Sequence, residues 1–319
     1  MTFLSEPEPP RGVGVEILPG IRRVVARNPS VMTCHGTNTF LLAGDDGLTV
    51  IDPGPDDAEH VADVLRAAGG TPITRIVLTH AHSDHYGAVK ALKAATGAPA
   101  WGYLSSGSPS GFSADHQLDD GDEVAGLQAV FTPGHAQDHL SFAYHVPGTG
   151  QILFTGDHVM AWSSSIVNPP DGNMVGYYRS LELLLPRPDV LYLPAHGPAE
   201  PNPRALVESL LKHRQMREAT ILTELRNGPS TVREIAERLY AKTDPYLKIA
   251  AERNVLAHLQ KLQEEGLVVE QDPPEESYAA LLKNGDDIFD PETENRESLM
   301  KTYGKMIEQD GSRKFISAA

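Results

Sequence analysis

Residues 76–85 read Ile76-Val77-Leu78-Thr79-His80-Ala81-His82-Ser83-Asp84-His85, an apolar run that leads straight into four metal-competent side chains. Four such groups packed this closely cannot share one face of a helix. A turn leaving a strand, by contrast, can fan them out around a pair of cations. Borderline metals such as zinc take neutral imidazole nitrogens together with carboxylate oxygens. One short segment cannot complete the surroundings of two ions, so further ligands are expected at similar places. The chain supplies them. Ala129-Val130-Phe131-Thr132 runs into Pro133-Gly134-His135, Ile152-Leu153-Phe154-Thr155 into Gly156-Asp157, and Val190-Leu191-Tyr192-Leu193 into Pro194-Ala195-His196-Gly197. Earlier, Leu48-Thr49-Val50-Ile51 ends at Asp52-Pro53-Gly54 in the same style. Each is a short β-prone stretch that stops at a turn-forming residue beside a His or Asp. Five strand ends delivering such groups imply one shared rim, with the reactive loops held by a rigid scaffold.

In order, Asp52, His80-x-His82-x-Asp84-His85, His135, Asp157 and His196 resemble the five motifs of the metallo-β-lactamase superfamily, over the span 1–204. The resemblance implies an α/β fold, a four-layered αβ/βα sandwich. It implies that His80, His82 and His135 bind one metal and that Asp84, His85 and His196 bind the other. Asp157 then bridges the two, and Asp52 acts from behind the ligands. Two divalent ions are expected, zinc foremost, although one-iron sulfur dioxygenases on this fold keep the same segment and leave the metal open. A water held between two such cations ionises near neutral pH, because metals lower its pKa to about 7. The hydroxide attacks a carbonyl carbon or a phosphorus while one metal polarises the oxygen that gains charge. Asp84 and Asp157 are accordingly the catalytic carboxylates, with Asp84 a candidate to return a proton to the leaving group.

Other residues admit two readings. Asp138 and His139 follow His135 closely and either fix imidazole tautomers from behind or stabilise the turn. Ala136 stands where related sequences carry Thr. His158, beside Asp157, reads as a packed residue or a support for the site before a ligand. Thr37-Asn38 touches substrate or serves turn chemistry. Trp162-Ser163-Ser164-Ser165 lines the pocket or is a core tryptophan beside a polar loop. Cys34 is the single cysteine, so no internal disulfide forms, and it has no place among the ligands.

With 319 residues, 40% of them hydrophobic, the chain can bury a large core and calls for two domains. Met1 to Gly14 is rich in Pro and Glu without an apolar core, which argues against secretion. No stretch reaches the length of a membrane span, so a cytoplasmic protein is the simplest expectation. Strands are expected near 15–19, 21–26, 37–43, 47–51, 75–79, 98–102, 127–132, 139–145, 151–155 and 190–194. Helices are expected near 57–68 and 86–95 and from Asn173 to Leu185. The Ser- and Gly-rich stretch Ser105 to His116 is expected to be a surface loop.

A second unit is expected over 205–270. Leu206, Leu210, Leu211, Ile221, Leu222 and Leu225 recur at helical spacing up to Gly228-Pro229. Thr231-Val232-Arg233-Glu234 reads as a capping box opening a helix to Tyr240. A third helix spans Ile249 to Glu265, and Leu267-Val268-Val269 a strand. Three helices and a small wing resemble a winged helix behind the hydrolase unit. His213-Arg214-x-x-Arg217-Glu218 and His258-Leu259-x-x-Leu262 with Gly266 are similar to the subgroup that contains the β-lactamase-like endoribonucleases.

Charge weighs against an RNA reader. Between Ala205 and Glu270 ten Lys or Arg face ten Asp or Glu, and residues 1–204 carry eleven basic against twenty-two acidic groups. The net charge of −16 lacks the footprint by which proteins neutralise phosphates, although Lys212, Arg214, Arg217 and Arg253 could form a local basic patch. The expected activity is therefore hydrolysis of an ester, lactone, thioester or amide in a small molecule, with single-stranded RNA the alternative substrate. Residues 271–319 form an acidic extension, in which Pro273-Pro274-Glu275-Glu276 reads as a linker. Its apolar pieces, Tyr278 to Leu282 and Leu299 to Ile307, could dock on the body or on a second subunit of a homo-oligomer.

Overall fold

The computed structural model describes residues 2–103, 112–242, 247–271 and 308–318. Residues 105–111 of the Ser/Gly-rich stretch lie outside this set. So do the expected linker Pro273 to Glu276 and the two apolar pieces of the C-terminal extension. The chain divides into two compact units, one of residues 1–165 and 176–210, the other of residues 166–175 and 211–319.

The first unit is built on two sheets. The larger runs in chain order through β1 (Val15–Leu18), β2 (Ile21–Val25), β3 (Asn38–Gly44), β4 (Gly47–Ile51), β5 (Ile73–Val77), β6 (Ala100–Gly102) and β7 (His116–Gln117). The smaller orders β12 (Leu191–Pro194), β11 (Gly150–Gly156), β10 (Leu140–Val146), β9 (Leu127–Phe131) and β8 (Glu123–Val124). Side chains alternate across a strand, so each inner strand of the larger sheet feeds two cores. Phe40, Leu42, Ile51 and Val77 meet Leu127, Phe142, Ile152, Phe154 and Leu193 between the sheets. Leu41, Val50 and Ile76 point the other way, onto α1 (Ala58–Ala68) and α3 (Val89–Thr96) through Val61, Val64 and Leu92. On the smaller sheet's side, α4 (Met174–Leu184) buries Tyr177, Leu181 and Leu184, and Ser180 Oγ donates to the Pro133 carbonyl at 2.7 Å. Helix, sheet, sheet and helix are the four layers that the resemblance implies. The expected helix over 86–95 is broken into the single turn α2 (Ser83–Tyr86) and α3.

Strands β4 and β5 pair in parallel, as do β11 and β12. Parallel neighbours put their carboxyl ends on the same edge, and β9 ends in the turn that carries His135. The rim inferred from five strand ends follows from this topology.

The second unit holds the later part of α5 (Pro203–Arg226), α6 (Val232–Leu239), α7 (Lys248–Glu264) and a sheet ordered β13 (Ser230–Thr231), β15 (Lys314–Ser317), β14 (Val268–Gln271). The capping box is present: Glu234 N donates to Thr231 Oγ1 at 3.2 Å and Thr231 N to Glu234 Oε2 at 2.8 Å. The extension over 271–319 is not detached along all of its length. Its strand β15 is the middle of the three, pairing with both neighbours, so a boundary at residue 270 cuts through a continuous sheet. Phe315 alternates inward and is fully buried among Ile221, Ile235, Val255, Leu256 and Leu259.

Three of the four residues expected to form a basic patch, Arg214, Arg217 and Arg253, are engaged within the unit instead. Arg214 is 2% exposed and donates to Asn254 Oδ1 at 3.1 Å, and the Arg217 guanidinium lies 4.2 Å from the Tyr240 ring centre. Arg253 is buried and engages Asn168, the Pro169 carbonyl and Asp310. Glu218 accepts from His258 Nδ1 and Lys261 Nζ, each at 3.1 Å. The two sequence signatures thus encode one internal network that ties α5 to α7. Among the described residues no helix is long and apolar enough to cross a membrane.

Two tests address this unit. Phe315→Ala removes a ring from a filled core and is expected to cost about 3–5 kcal/mol, read as a lowered unfolding midpoint; an unchanged midpoint would show that β15 adds nothing to the core. Burial first, then Arg214 and Arg217, lowers His258 from 6.5 to about 4 despite its bond to Glu218. The unfolded chain therefore takes up this proton first as pH falls from 6.5 toward 4, and stability declines across that window. His258→Gln should flatten this decline in acid unfolding curves, and an unaltered slope would contradict it.

Candidate metal centre

Three sets of side chains bring their donor atoms together: His80, His82 and His135; His80, His85 and Asp157; and Asp84, His85 and His196. His82 Nδ1 lies 2.9 Å from His80 Nε2 and 3.1 Å from His135 Nε2. His196 Nε2 is 3.3 Å from both Asp84 Oδ2 and Asp157 Oδ1. His85 Nε2 is 3.6 Å from Asp84 Oδ2 and from Asp157 Oδ2, and Asp157 Oδ2 is 3.5 Å from His135 Nε2. Tetrahedral ligands held about 2.0–2.1 Å from one ion stand about 3.3 Å apart, so these separations suit shared centres. Two buried atoms, His85 Nε2 and Asp157 Oδ1, accept no hydrogen bond and donate none. Lone pairs left bare in a buried pocket are costly, and a cation satisfies them. The residues fit divalent ions.

The supports behind these groups explain their aim. Asp52 closes β4 with φ of 49°, a left-handed conformation that turns its carboxylate back under the next strand end. Asp52 Oδ1 accepts from Thr79 N at 2.8 Å, and Oδ2 accepts from Thr79 Oγ1 at 2.7 Å and His85 Nδ1 at 2.9 Å. With one proton fixed on Nδ1, His85 turns its Nε2 to the centre, where a cation would replace any second proton. His196 Nδ1 donates to the Gly36 carbonyl at 3.3 Å, with the same effect on its Nε2.

His139 works differently from the tautomer-fixing role open to it in the sequence. Its Nε2 accepts from the Asp157 backbone N–H at 3.2 Å and its Nδ1 donates to Thr132 Oγ1 at 2.9 Å. Both nitrogens are engaged, so the ring holds the backbone of Asp157 rather than another imidazole. Burial, then His158 and His135, keeps it well below the ordinary histidine value and hence neutral. Asp138 Oδ2 likewise accepts from a backbone group, Ala81 N, at 3.2 Å.

The remaining candidates separate from the cluster. Asn38 is buried at the start of β3, and its Nδ2 donates to the Pro194 and Gly197 carbonyls at 2.9 Å each, pinning the His196 turn. Thr37 Oγ1 donates to the Asp84 carbonyl at 3.0 Å. Both residues are sealed from solvent, and their bonds brace the turns that carry Asp84 and His196. His158 is fully buried with its ring 4.7 Å from that of Tyr177, outside the three donor sets. Trp162 packs on the His196 turn, where a Cβ on Gly197 would stand 2.5 Å from the indole. Cys34 is in none of the donor sets. Thr79 and Gly156 are the supports that sequence reasoning passed over. Thr79 lies inside the quoted segment, but a hydroxyl before a histidine carries no motif of its own.

Electrostatically the carboxylates draw positive charge into the pocket, so protons compete there with any cation. Burial alone would raise the Asp157 carboxyl, yet His196 and His85 hold it well below the usual range. Burial likewise works against charging His196, but Asp157 and Asp84 raise it to about 9. The same carboxylates, with Asp52, lift His85 well above its ordinary value.

Comparison with known proteins places this geometry in context. The family described as the metallo-beta-lactamase superfamily matches residues 32–196, and that described as the beta-lactamase associated winged helix domain matches residues 231–275. The chain is 31% identical over 281 residues to the "Beta-lactamase-like protein 2 homolog" of Drosophila melanogaster, spanning 80% of this chain and 92% of that one. It is 28% identical over 239 residues to the "Atrochrysone carboxyl ACP thioesterase" of Passalora fulva, spanning 72% and 70%. A beta-lactamase domain protein from Burkholderia ambifaria superposes with a TM-score of 0.73 at 22% identity, covering 83% of this chain and 92% of that one, a likeness of fold.

Two outcomes are expected. In Gly156→Ala, the new Cβ would stand 2.4 Å from His139 Nε2 at a residue whose φ is +49°. Overpacking of this kind costs about 1–3 kcal/mol and should displace Asp157; a variant with parental stability and metal content would contradict the close fit. Since His196 holds its proton up to about 9, a cation must displace that proton. Apparent affinity should therefore climb as pH rises toward 9 and fall on acidification, as read by competition with a chromogenic chelator. An affinity independent of pH across this range would contradict it.

Proposed function

Because the chain belongs to the metallo-β-lactamase superfamily and is a metal-dependent hydrolase, we propose that it uses two divalent ions to cleave an acyl bond in a small substrate. Esters, thioesters, lactones and amides are the candidate classes, with thioesters foremost. In this reading His80, His82 and His135 hold one ion, and Asp84, His85 and His196 hold the other. Asp157 would hold both, because its Oδ2 faces His135 and His85 while its Oδ1 faces His196. The observation that carries the reading is this convergence of nitrogen and oxygen donors from four separate strand ends. An all-nitrogen-and-oxygen set of imidazoles and carboxylates suits zinc.

Bound there, the two ions would supply a water ionised near neutral pH and an electrophile for the carbonyl oxygen. The chain's own residues do the rest. Asp52, His139 and the Gly36 carbonyl hold the donors in place, so little reorganisation accompanies the reaction. Asp84 has a side chain 30% exposed, whereas His85 and His196 are sealed. That exposure supports Asp84 as the carboxylate that meets a leaving group and returns a proton to it.

A thioester substrate is favoured by the thioesterase among the similar proteins. Cleavage of RNA receives less support. Winged helices serve many purposes, and here Arg214, Arg217 and Arg253 are engaged within their own unit. The net charge of −16 also opposes binding to a polyanion.

The test compares hydrolysis of a panel of thioesters, esters and lactones with cleavage of labelled single-stranded RNA at physiological salt, alongside metal analysis of the purified protein. Turnover of the acyl panel and inert RNA are expected; the reverse pattern would replace this substrate class. Asp157→Asn should lower hydrolysis by at least about 100-fold, beyond the loss typical of a residue behind the ligands, with the fold intact by circular dichroism. Near-parental rates would remove Asp157 from its joining role.

A further inference from the structure

We infer that Thr79 is a positioning residue, whose hydroxyl lets the Asp52 carboxylate set the tautomer of His80 as well as that of His85. The inference rests on the reading of His80 as a metal-holding residue, but its geometry stands independently of that reading. Thr79 Oγ1 lies 2.7 Å from Asp52 Oδ2 and 3.0 Å from His80 Nδ1. An ionised carboxylate only accepts hydrogen bonds, so the hydroxyl proton goes to Asp52. The oxygen's lone pairs then face His80 Nδ1, which must carry the ring proton to meet them. His80 Nε2 is left as the lone-pair nitrogen, aimed into the cluster 2.9 Å from His82 Nδ1.

The same Oδ2 atom accepts from His85 Nδ1 at 2.9 Å. One carboxylate oxygen therefore orients an imidazole in each half of the centre, directly on one side and through a hydroxyl on the other. Thr79, His80 and Asp52 are all buried to within 2% of complete exclusion from solvent, so water does not replace the hydroxyl if it is removed. The arrangement is also asymmetric. Loss of the Thr79 hydroxyl strips the support from His80 and leaves the bond from His85 to Asp52 in place.

Two variants and two readouts test this. In the metal-free parent protein with nitrogen-15-labelled histidine, NMR should show His80 as the Nδ1–H tautomer. Stepwise titration with zinc alone should fill two sites in the parent. In Thr79→Val, which keeps the side-chain shape, one of the two should weaken by about 10–100-fold while the other keeps its affinity. Thr79→Ser should restore the parental pattern. The proposal is overturned if His80 carries its proton on Nε2, or if Thr79→Val keeps both affinities. A Thr79→Val chain that fails to fold leaves the decision to the parental tautomer and the serine variant, whose failure to bind as the parent does would count against it. If the parent binds no zinc, the proposed function fails, and the tautomer measurement still decides the role of Thr79.

Discussion

A carboxylate sealed from water at the end of β4 is the constraint around which the catalytic unit is organised. Asp52 is 1% exposed and adopts a backbone conformation that few residues other than glycine tolerate. Buried charge is stable only when every lone pair is met, and here a backbone amide, a hydroxyl and an imidazole meet it. Those three contacts belong to the segment that follows β5, so satisfying Asp52 also places His80 and His85. The register of two parallel strands, β4 and β5, is in this way converted into the orientation of imidazole rings.

The opposite wall is assembled by the same kind of bonding, although backbone groups carry more of it. His139 receives the amide of Asp157, Asn38 spans two carbonyls flanking His196, and Asp138 receives the amide of Ala81. Donors arriving from both sheets thus converge on one pocket because buried polar groups seek partners. What they leave unmet, the lone pairs on His85 and Asp157, is the feature that calls for a cation.

The second unit uses charge for a different end. Arg214, Arg253 and the Glu218–His258–Lys261 triad are turned inward and fix α7 against α5 and the segment 166–175. Side chains that in a linear reading suggest a surface for nucleic acid are occupied as internal struts. The site itself accounts for hydrolysis without them.

Much of this protein was decided by the order of its residues. Short β-prone apolar stretches that each stop at a His or Asp determined the strands, their ends and which side chains gather at the rim, because strand propensity and turn chemistry are both local. The capping box at Thr231 was legible for the same reason, and the four layers through the resemblance that the ordered motifs carry. Roles that depend on long-range pairing were not legible. Whether Asn38 meets substrate or a carbonyl far along the chain, whether His139 faces an imidazole or an amide, and whether Lys314–Ser317 trails or completes a sheet are set by which distant groups share a neighbourhood. Sequence spacing carries the side chain and its chemistry; only the folded chain brings the partner within hydrogen-bonding reach, because those bonds join residues remote in sequence.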